Sequence, residues 1–287
     1  MQSVRPVNLV ILSDVHLGTY GCHAHELAHY LRSIKPDTLV LNGDIIDGWQ
    51  FSKRYWPAAH NQVILEIMRL LTEGTRVYYI TGNHDEMLRR FSDTRLANFT
   101  LTDKLILELD GKKAWIFHGD VFDLSVNTSK WLAKIAGKSY DYLILLNRLI
   151  NWGLNRIGRE KVSISKKIKG GVKQAVKYIA DFEQIAAHHA VEQGYDYVIC
   201  GHIHQPSNRK IKTENGSVWY LNSGDWVENL TALEYNNGEW EIMHYTDTLG
   251  KQKNVIPLAT RIVPETLMQP KEAFAILNTI YARGFTA

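Results

Sequence analysis

Short apolar runs recur along the chain, and each of them ends in a group of polar residues. Six of these runs have five or six residues and are rich in Val, Ile and aromatic side chains, which is typical of buried strands. The runs are VNLVIL, DTLVL, RVYYI, KAWIF, YDYVIC and SVWYL. Helical spacing of apolar residues lies between several runs, over residues 24–34 and 62–72. This alternation predicts an α/β fold.

The polar residues that follow the runs are the first indication of a functional site. In an α/β sheet, the residues just beyond the carboxyl ends of the strands meet in one crevice. The six polar ends therefore predict a single site built from distant parts of the sequence. A later segment, residues 230–245, alternates apolar and polar residues around Asn236-Asn237-Gly238, which predicts a β-hairpin.

One segment interrupts the alternation. Residues 125–181 have a helical pattern and no convincing strand, so we interpret them as an insertion in a single domain that spans residues 1–250. The tail, residues 251–287, is expected to pack back on that domain through a helix over residues 270–283.

Composition excludes several classes of protein. Of the 287 residues, 45% are hydrophobic and 22% are charged, which excludes a disordered or collagen-like chain. The two cysteines cannot form a disulfide framework, and a reducing compartment is the expectation. The apolar run at residues 7–12 is too short for a signal peptide. We therefore expect a cytoplasmic protein.

Charge is concentrated in the insertion. Residues 126–180 carry twelve Lys and Arg against two acidic residues, while the remainder of the chain has a net charge of −7. Long aliphatic and Trp residues precede the basic ones, but no apolar stretch reaches the roughly 20 residues that span a bilayer. This pattern favours a membrane-surface element or a lid over a lipid phosphate. The alternative is a helical hairpin that simply packs on the domain.

Seven strand-end residues offer carboxylate, imidazole and amide ligands without a thiolate. This chemistry suits two divalent ions of the Mn²⁺, Fe²⁺ or Zn²⁺ type better than a structural zinc site. Each Asp-x-His or His-x-His pair places two side chains on the same side of a strand end. The seven residues are Asp14, His16, Asp44, Asn83, His118, His202 and His204.

The order of these motifs resembles the calcineurin-like metallophosphoesterase superfamily over residues 9–226. The resemblance implies a four-layer αββα sandwich, here with a helical lid insertion, and an enzyme that is a metal-dependent hydrolase with two ions, most simply Mn²⁺. It implies one ion at Asp14, His16, Asp44 and His204. It implies the other at Asp44, Asn83, His118 and His202, with Asp44 bridging the two.

The same resemblance suggests catalytic roles for the residues that follow Asn83. Two divalent ions would ionise a water and neutralise the phosphoryl oxygens. His84 would protonate or stabilise the leaving oxygen. Either Asp85 or Asp47 would orient a histidine by accepting its second N–H.

A competing motif lies in the first predicted helix. His25-Glu26-Leu27-Ala28-His29 matches the His-Glu-x-x-His pattern of zinc proteases. The apolar stripe of that helix places both histidines away from the core, and no further ligand is evident. We therefore favour the two-metal interpretation.

The position of the insertion suggests a substrate. It resembles that of UDP-2,3-diacylglucosamine hydrolases of the lipid A pathway, which also share Ser13 to Leu17 and His118 to Asp120. These hydrolases carry Arg where this chain has His84. The resemblance implies hydrolysis of the substrate pyrophosphate to UMP and 2,3-diacylglucosamine 1-phosphate, with Ser165, Lys166 and Lys167 as substrate contacts.

Two alternatives remain open at this stage. One is a phosphoesterase that acts on another nucleotide or nucleic-acid phosphodiester, although the aliphatic residues of the insertion favour a lipid-linked nucleotide over nucleic acid. The other is a non-catalytic scaffold that binds a membrane through the insertion. Neither the oligomeric state nor the native metal follows from the sequence.

Overall fold

The computed structural model describes residues 4–50, 55–122 and 167–245, with side chains from residue 178 onward in the last range. The described chain forms three α-helices and two sheets. The helices are α1 (Ala24–Ser33), α2 (Ala58–Thr72) and α3 (Lys167–Glu192). The strands are β1 (Arg5–Leu12), β2 (Ile34–Asn42), β3 (Arg76–Ile80), β4 (Thr94–Leu96), β5 (Phe99–Thr102), β6 (Lys104–Leu109), β7 (Lys112–Phe117), β8 (Tyr197–Cys200), β9 (Ser207–Thr213), β10 (Gly216–Asn222), β11 (Thr231–Asn236) and β12 (Glu239–His244).

Both sheets have a parallel centre and antiparallel edges. The first sheet has the order β12-β11-β1-β2-β3-β5-β4, and β1, β2, β3 and β5 run parallel. The second has the order β6-β7-β8-β10-β9, and β7, β8 and β10 run parallel. The six predicted strands are all present and all belong to the two parallel centres. The carboxyl ends of these parallel strands therefore lie at the same end of each sheet.

The helices and sheets form four layers. Leu27 of α1 and Val63 of α2 pack in one core against the first sheet. The two sheets face each other through a second core that includes Ile11 and Ile199. Phe182 of α3 belongs to a third core on the outer face of the second sheet. This arrangement confirms the predicted αββα sandwich.

The insertion is described only in its last part. Helix α3 begins at Lys167 and crosses the boundary predicted at residue 181. The predicted lid over 125–166 and the predicted tail over 251–287 lie outside the described residues. Within the described ranges, no helix combines the length and the apolar character needed to cross a bilayer.

Several boundaries differ from the sequence-based expectation. Ile34, expected on the first helix, is instead the first residue of β2. Pro36 explains the difference, because proline disfavours the helical conformation at the residue before it and cannot continue a helix itself. Helix α2 begins at Ala58, immediately after Pro57, rather than at residue 62. Strands β4, β5, β6 and β9 were not predicted.

The predicted hairpin is confirmed as β11 and β12. Asn236 pairs with Glu239, which leaves a two-residue turn of Asn237 and Gly238. Both turn residues have positive φ angles, 50° and 86°. A type I′ turn requires this conformation at both positions, and Asn-Gly is the sequence that adopts it most easily.

A buried carboxylate joins α1 to the first sheet, and its removal should destabilise the fold. Both oxygens of Glu234 accept hydrogen bonds from Arg5, at 2.6 and 2.7 Å, and one also accepts from the Tyr30 hydroxyl at 2.7 Å. Glu234→Ala leaves the buried hydroxyl of Tyr30 without this acceptor. We expect a loss of about 1–3 kcal/mol in the free energy of unfolding, measured by urea denaturation.

A matched control lies on the neighbouring strand. Glu241 is directly opposite Glu234 in the β11–β12 register and is exposed. Glu241→Ala should therefore change the free energy of unfolding by no more than about 0.5 kcal/mol. Equal effects of the two substitutions would show that the Glu234 contacts do not stabilise the protein.

Candidate metal centre

The loops that follow the parallel strands bring the candidate ligands together. The loop after β1 runs beside the loop after β2, and two backbone hydrogen bonds join them. The N–H of Asp14 donates to the carbonyl of Gly43 at 3.1 Å, and the N–H of His16 donates to the carbonyl of Asp44 at 2.9 Å. The loop after β8 joins them from the second sheet. Its His202 N–H donates to the Asp14 carboxylate at 3.0 Å. One crevice therefore collects loops from both sheets.

Three groups of side chains could each hold a cation. In every group, one ligand atom from each residue lies within 4.8 Å of the others. The groups are Asp14, His16 and His204; His16, Asp44 and His84; and Asp44, His118 and His202. The first and third groups each contain three of the four residues inferred for one ion, and Asp44 belongs to both the second and the third group.

Two glycines allow the loops to approach this closely. A Cβ atom on Gly43 would lie 2.3 Å from His118 Nδ1, and one on Gly82 would lie 2.3 Å from Asp44 Oδ1. Real Cβ atoms do not tolerate such contacts, so any side chain at either position would displace a candidate ligand. Steric crowding thus explains why glycine precedes Asp44 and Asn83 in these motifs.

Backbone strain is concentrated on the same residues. Ten non-glycine residues of the described chain have positive φ angles, and five of them are candidate ligands. Left-handed conformations are costly for residues with a Cβ and persist where the surrounding structure enforces them, often at functional sites. The five are Asp14, His16, Asp44, His202 and His204, with φ angles of 52–66°. The sequence gives no sign of this feature.

Unsatisfied polar atoms indicate that the residues fit cations. His16 Nε2 and Asn83 Oδ1 are buried and have no hydrogen-bond partner in the structure, and buried His118 Nε2 has only the Asp44 carboxylate nearby, at 3.2 Å. Buried polar atoms without partners are rare and unfavourable unless a ligand or ion satisfies them. All three are lone-pair donors that divalent ions accept, and the mixed oxygen and nitrogen set suits Mn²⁺, Fe²⁺ or Zn²⁺.

Protons compete with cations for this site. Burial alone would lower the pKa of His118 and raise that of Asp44, but their mutual attraction at 3.2 Å reverses both shifts. Burial also lowers the pKa of His204, yet Asp14 and Asp225 raise it to about 10. Without cations, protonated histidines therefore neutralise the two aspartates. Metal uptake must release these protons, because only neutral imidazole binds a metal.

Other groups fix the histidine rings through Nδ1. His118 Nδ1 lies 2.9 Å from the carbonyl of Asn42, and His204 Nδ1 lies 3.6 Å from Asp225. Such partners hold the proton on Nδ1 and leave Nε2 for a cation. Asp225 itself is buried and accepts hydrogen bonds from the backbone of residues 227–229. Asp225 was not predicted as a site residue from the sequence, since its contact with His204 requires the fold.

The carboxylate of Asp47 contacts two histidine side chains. Its Oδ2 lies 2.9 Å from His84 Nδ1 and 3.3 Å from His16 Nδ1. Burial would raise the pKa of Asp47, but these two hydrogen bonds lower it below its ordinary value. Of the two aspartates expected to orient a histidine, Asp47 does so.

Asp85 has a different set of partners. It accepts hydrogen bonds from the N–H groups of Ile45 and Gly82 and from the Tyr79 hydroxyl. Burial and the charge of Asp44 raise its pKa. These contacts shape the loop around Asn83 and His84 rather than orienting a histidine.

His84 lies at the edge of the ligand groups. Its Nε2 is 4.0 Å from Asp44 Oδ2, and the Trp49 ring packs against the imidazole with centroids 4.1 Å apart. Burial lowers the pKa of His84, but the hydrogen bond to Asp47 and the charge of Asp44 raise it above its ordinary value. The sequence analysis missed Trp49, because only the folded loop brings its ring to the imidazole.

The remaining candidates lie elsewhere. Lys167 is the first residue of α3, and its side chain is not described; Ser165 and Lys166 lie outside the described residues. His25 of the His-Glu-x-x-His motif is exposed, while His29 Nδ1 lies 3.3 Å from the Tyr245 hydroxyl. Neither histidine belongs to a ligand group among the described residues.

Comparison with known proteins identifies the family. The sequence profile of calcineurin-like phosphoesterases matches residues 7–206, a range that contains all seven candidate ligands. The chain belongs to this family. As a calcineurin-like phosphoesterase it is a metal-dependent hydrolase of phosphate esters.

Curated relatives extend the comparison over most of the chain. A UDP-2,3-diacylglucosamine hydrolase of Aliivibrio fischeri is 23% identical over 244 residues, which are 80% of this chain and 95% of that protein. The enzyme of the same name from Vibrio cholerae is 25% identical over 80% of this phosphoesterase and 95% of its own length. That of Stenotrophomonas maltophilia is 24% identical over 85% of this phosphoesterase and 99% of its own length.

Proposed function

We propose that this phosphoesterase hydrolyses the pyrophosphate of UDP-2,3-diacylglucosamine. The reaction breaks one P–O–P bond with water and yields UMP and 2,3-diacylglucosamine 1-phosphate. The observation that carries the proposal is the similarity to hydrolases of that name over at least 80% of the chain and nearly their whole length. The three ligand groups at the strand ends support the same reaction type.

The proposal assigns the ligands as the resemblance to the metallophosphoesterase superfamily implies. Asp14, His16, Asp44 and His204 would hold one divalent ion, and Asp44, Asn83, His118 and His202 the other. When bound, such ions ionise a water and neutralise the phosphoryl oxygens. We take Mn²⁺ as the first ion to test, since the mixed oxygen and nitrogen ligand set suits it.

The chain's own residues would complete the reaction. His84, with Nδ1 held by Asp47, can carry a proton on Nε2 for the leaving oxygen. Asp85, kept within the same loop by three hydrogen bonds, would maintain the position of His84 rather than contact the substrate.

A lipid substrate is supported by the surroundings of His202. Phe122 lies just before the predicted insertion and Phe182 lies in α3, and the centroids of their rings are 5.9 Å apart. Phe182 lies 6.3 Å from the His202 ring, and Tyr178 lies 6.4 Å from Phe182. Phe182 is itself buried, whereas Phe122 and Tyr178 are half-buried, and the exposed surfaces of these two rings suit contact with acyl chains. Ser165 and the basic residues of the insertion, Lys166 and Lys167 among them, would contact phosphates or the membrane surface.

Location follows from the same substrate. An enzyme acting on a diacylated sugar nucleotide in the cytoplasm would meet it at the inner face of a membrane. We therefore propose peripheral association with that membrane through the insertion.

A substrate panel with Mn²⁺ tests the proposal. The panel contains UDP-2,3-diacylglucosamine, bis-p-nitrophenyl phosphate and single-stranded DNA, and the products are resolved by mass spectrometry. We expect release of UMP with a kcat/KM for the lipid nucleotide that far exceeds the values for the other two. Preferential cleavage of DNA would favour a nuclease, and no turnover of any substrate would favour a scaffold.

A further inference from the structure

Two tyrosine rings stack on each other at the protein surface. The ring centroids of Tyr20 and Tyr55 lie 3.8 Å apart, with the planes inclined by 36°. Tyr20 retains 66% of its accessible surface in this arrangement. The paired rings present a flat aromatic surface with a polar edge, and such surfaces are enriched at binding sites.

The loop that carries Tyr20 is held next to the metal centre. The N–H and hydroxyl of Thr19 both donate to the carbonyl of His16, at 3.2 and 2.9 Å. A hydrogen-bonded turn keeps its first and fourth Cα atoms within about 7 Å, and the next residue adds about 3.8 Å. The Cα atom of Tyr20 therefore lies within about 11 Å of that of His16.

The partner ring is fixed from the other side. Tyr55 meets the ring of His60 edge-on at a centroid distance of 6.0 Å, and His60 is buried in α2. His60 Nδ1 in turn accepts the N–H of Gly18, at 3.0 Å, in the same loop as Tyr20. The stack is thus pre-ordered by two elements, so that binding a ligand would cost little conformational entropy.

We propose that the Tyr20–Tyr55 stack binds the nucleobase of the nucleotide that the enzyme releases. The inference rests on the proposed function, because a nucleotide-linked substrate places its base one ribose away from the reacting phosphates. Stacking on an aromatic side chain strengthens the binding of any base, because every base has a flat π-face. A flat, hydroxyl-bearing pair suits a planar heterocycle, whereas an acyl chain is bound by an aliphatic groove. Tyr20 contacts the base, and Tyr55 supports Tyr20.

Binding of UMP and of ribose 5-phosphate tests this assignment. Ribose 5-phosphate carries the phosphate and sugar without the base, and both can be titrated by calorimetry into the Mn²⁺-loaded protein. We expect Tyr20→Leu to raise the Kd of UMP about tenfold and to leave the Kd of ribose 5-phosphate unchanged. Tyr20→Phe, which keeps the ring, should bind UMP as the wild type does.

Trp219 provides a matched control. It is also a partly exposed aromatic residue, but its neighbour in the register is Tyr197, the first residue of β8, at the opposite end from the candidate ligands. Trp219→Ala should leave both dissociation constants unchanged.

Two results would overturn the inference. A Kd for UMP in Tyr20→Leu within about twofold of the wild-type value would show that the base binds elsewhere. Equal weakening of ribose 5-phosphate would show that Tyr20 merely supports the loop of His16. Failure of the proposed substrate has a different signature, since UDP-2,3-diacylglucosamine would then remain intact while the UMP titrations kept their dependence on Tyr20.

Discussion

Asp44→Asn should lower kcat for bis-p-nitrophenyl phosphate at least about a thousandfold and reduce the bound metal. Asp44 is buried between two ligand groups, 3.2 Å from His118 Nε2 and within 4.8 Å of His202 and His16. The substitution removes the charge that both proposed ions share. It keeps an oxygen that can accept the N–H of His84, which Asp44 Oδ1 does at 2.8 Å.

The readouts for Asp44→Asn are turnover, metal content by mass spectrometry and thermal unfolding of the purified variant. Asp37→Asn is the control, because Asp37 lies in the same strand, β2, but is exposed and far from the strand end. The control should retain activity and metal. A folded Asp44→Asn protein with wild-type turnover would remove the metal assignment.

His84→Ala should reduce kcat without loss of metal, and the reduction should depend on the leaving group. If His84 protonates the leaving oxygen, an ester of unsubstituted phenol needs the proton more than an ester of p-nitrophenol does. We expect a loss of about 10²–10⁴-fold for the phenyl ester and a clearly smaller one for the p-nitrophenyl ester. The measurement is steady-state turnover of both esters.

His25→Ala is the matched control for His84→Ala, since His25 is an exposed histidine on α1. It should leave both turnover numbers unchanged. If His84→Ala lowered kcat equally for the two esters, His84 would position other groups rather than protonate the leaving oxygen. Loss of metal in that variant would instead make His84 a ligand, as its place in one of the three groups allows.

The centre of the fold could be predicted from the sequence because its strands are buried on both faces. Runs such as VNLVIL and YDYVIC are continuous and apolar for that reason, and they became β1 and β8. Edge strands carry no such signal. Strand β9, SNRKIKT, exposes basic residues to solvent, and β4 is a three-residue strand with every residue exposed. Tertiary pairing, rather than local pattern, makes these segments strands.

Some residues of the candidate site could likewise be predicted from the sequence, and others could not. The seven candidate ligands could be located from the sequence, since each lies within four residues of a strand end whose position is fixed by the sheet. That they bind cations stays a prediction. Trp49 and Asp225 could not, because their contacts with His84 and His204 join loops that only the folded chain brings together. The left-handed backbone at five ligands is likewise invisible in the sequence, since nothing but the surrounding packing enforces it.

Anomalous diffraction from crystals grown with Mn²⁺ tests the central claim most directly. We predict two peaks about 3.5–4 Å apart, with Asp44 in contact with both. One peak should lie within about 2.0–2.3 Å of ligand atoms of Asp14, His16 and His204, and the other at similar distances from Asn83, His118 and His202. A crevice without anomalous signal at saturating Mn²⁺, or peaks at other residues only, would contradict the account.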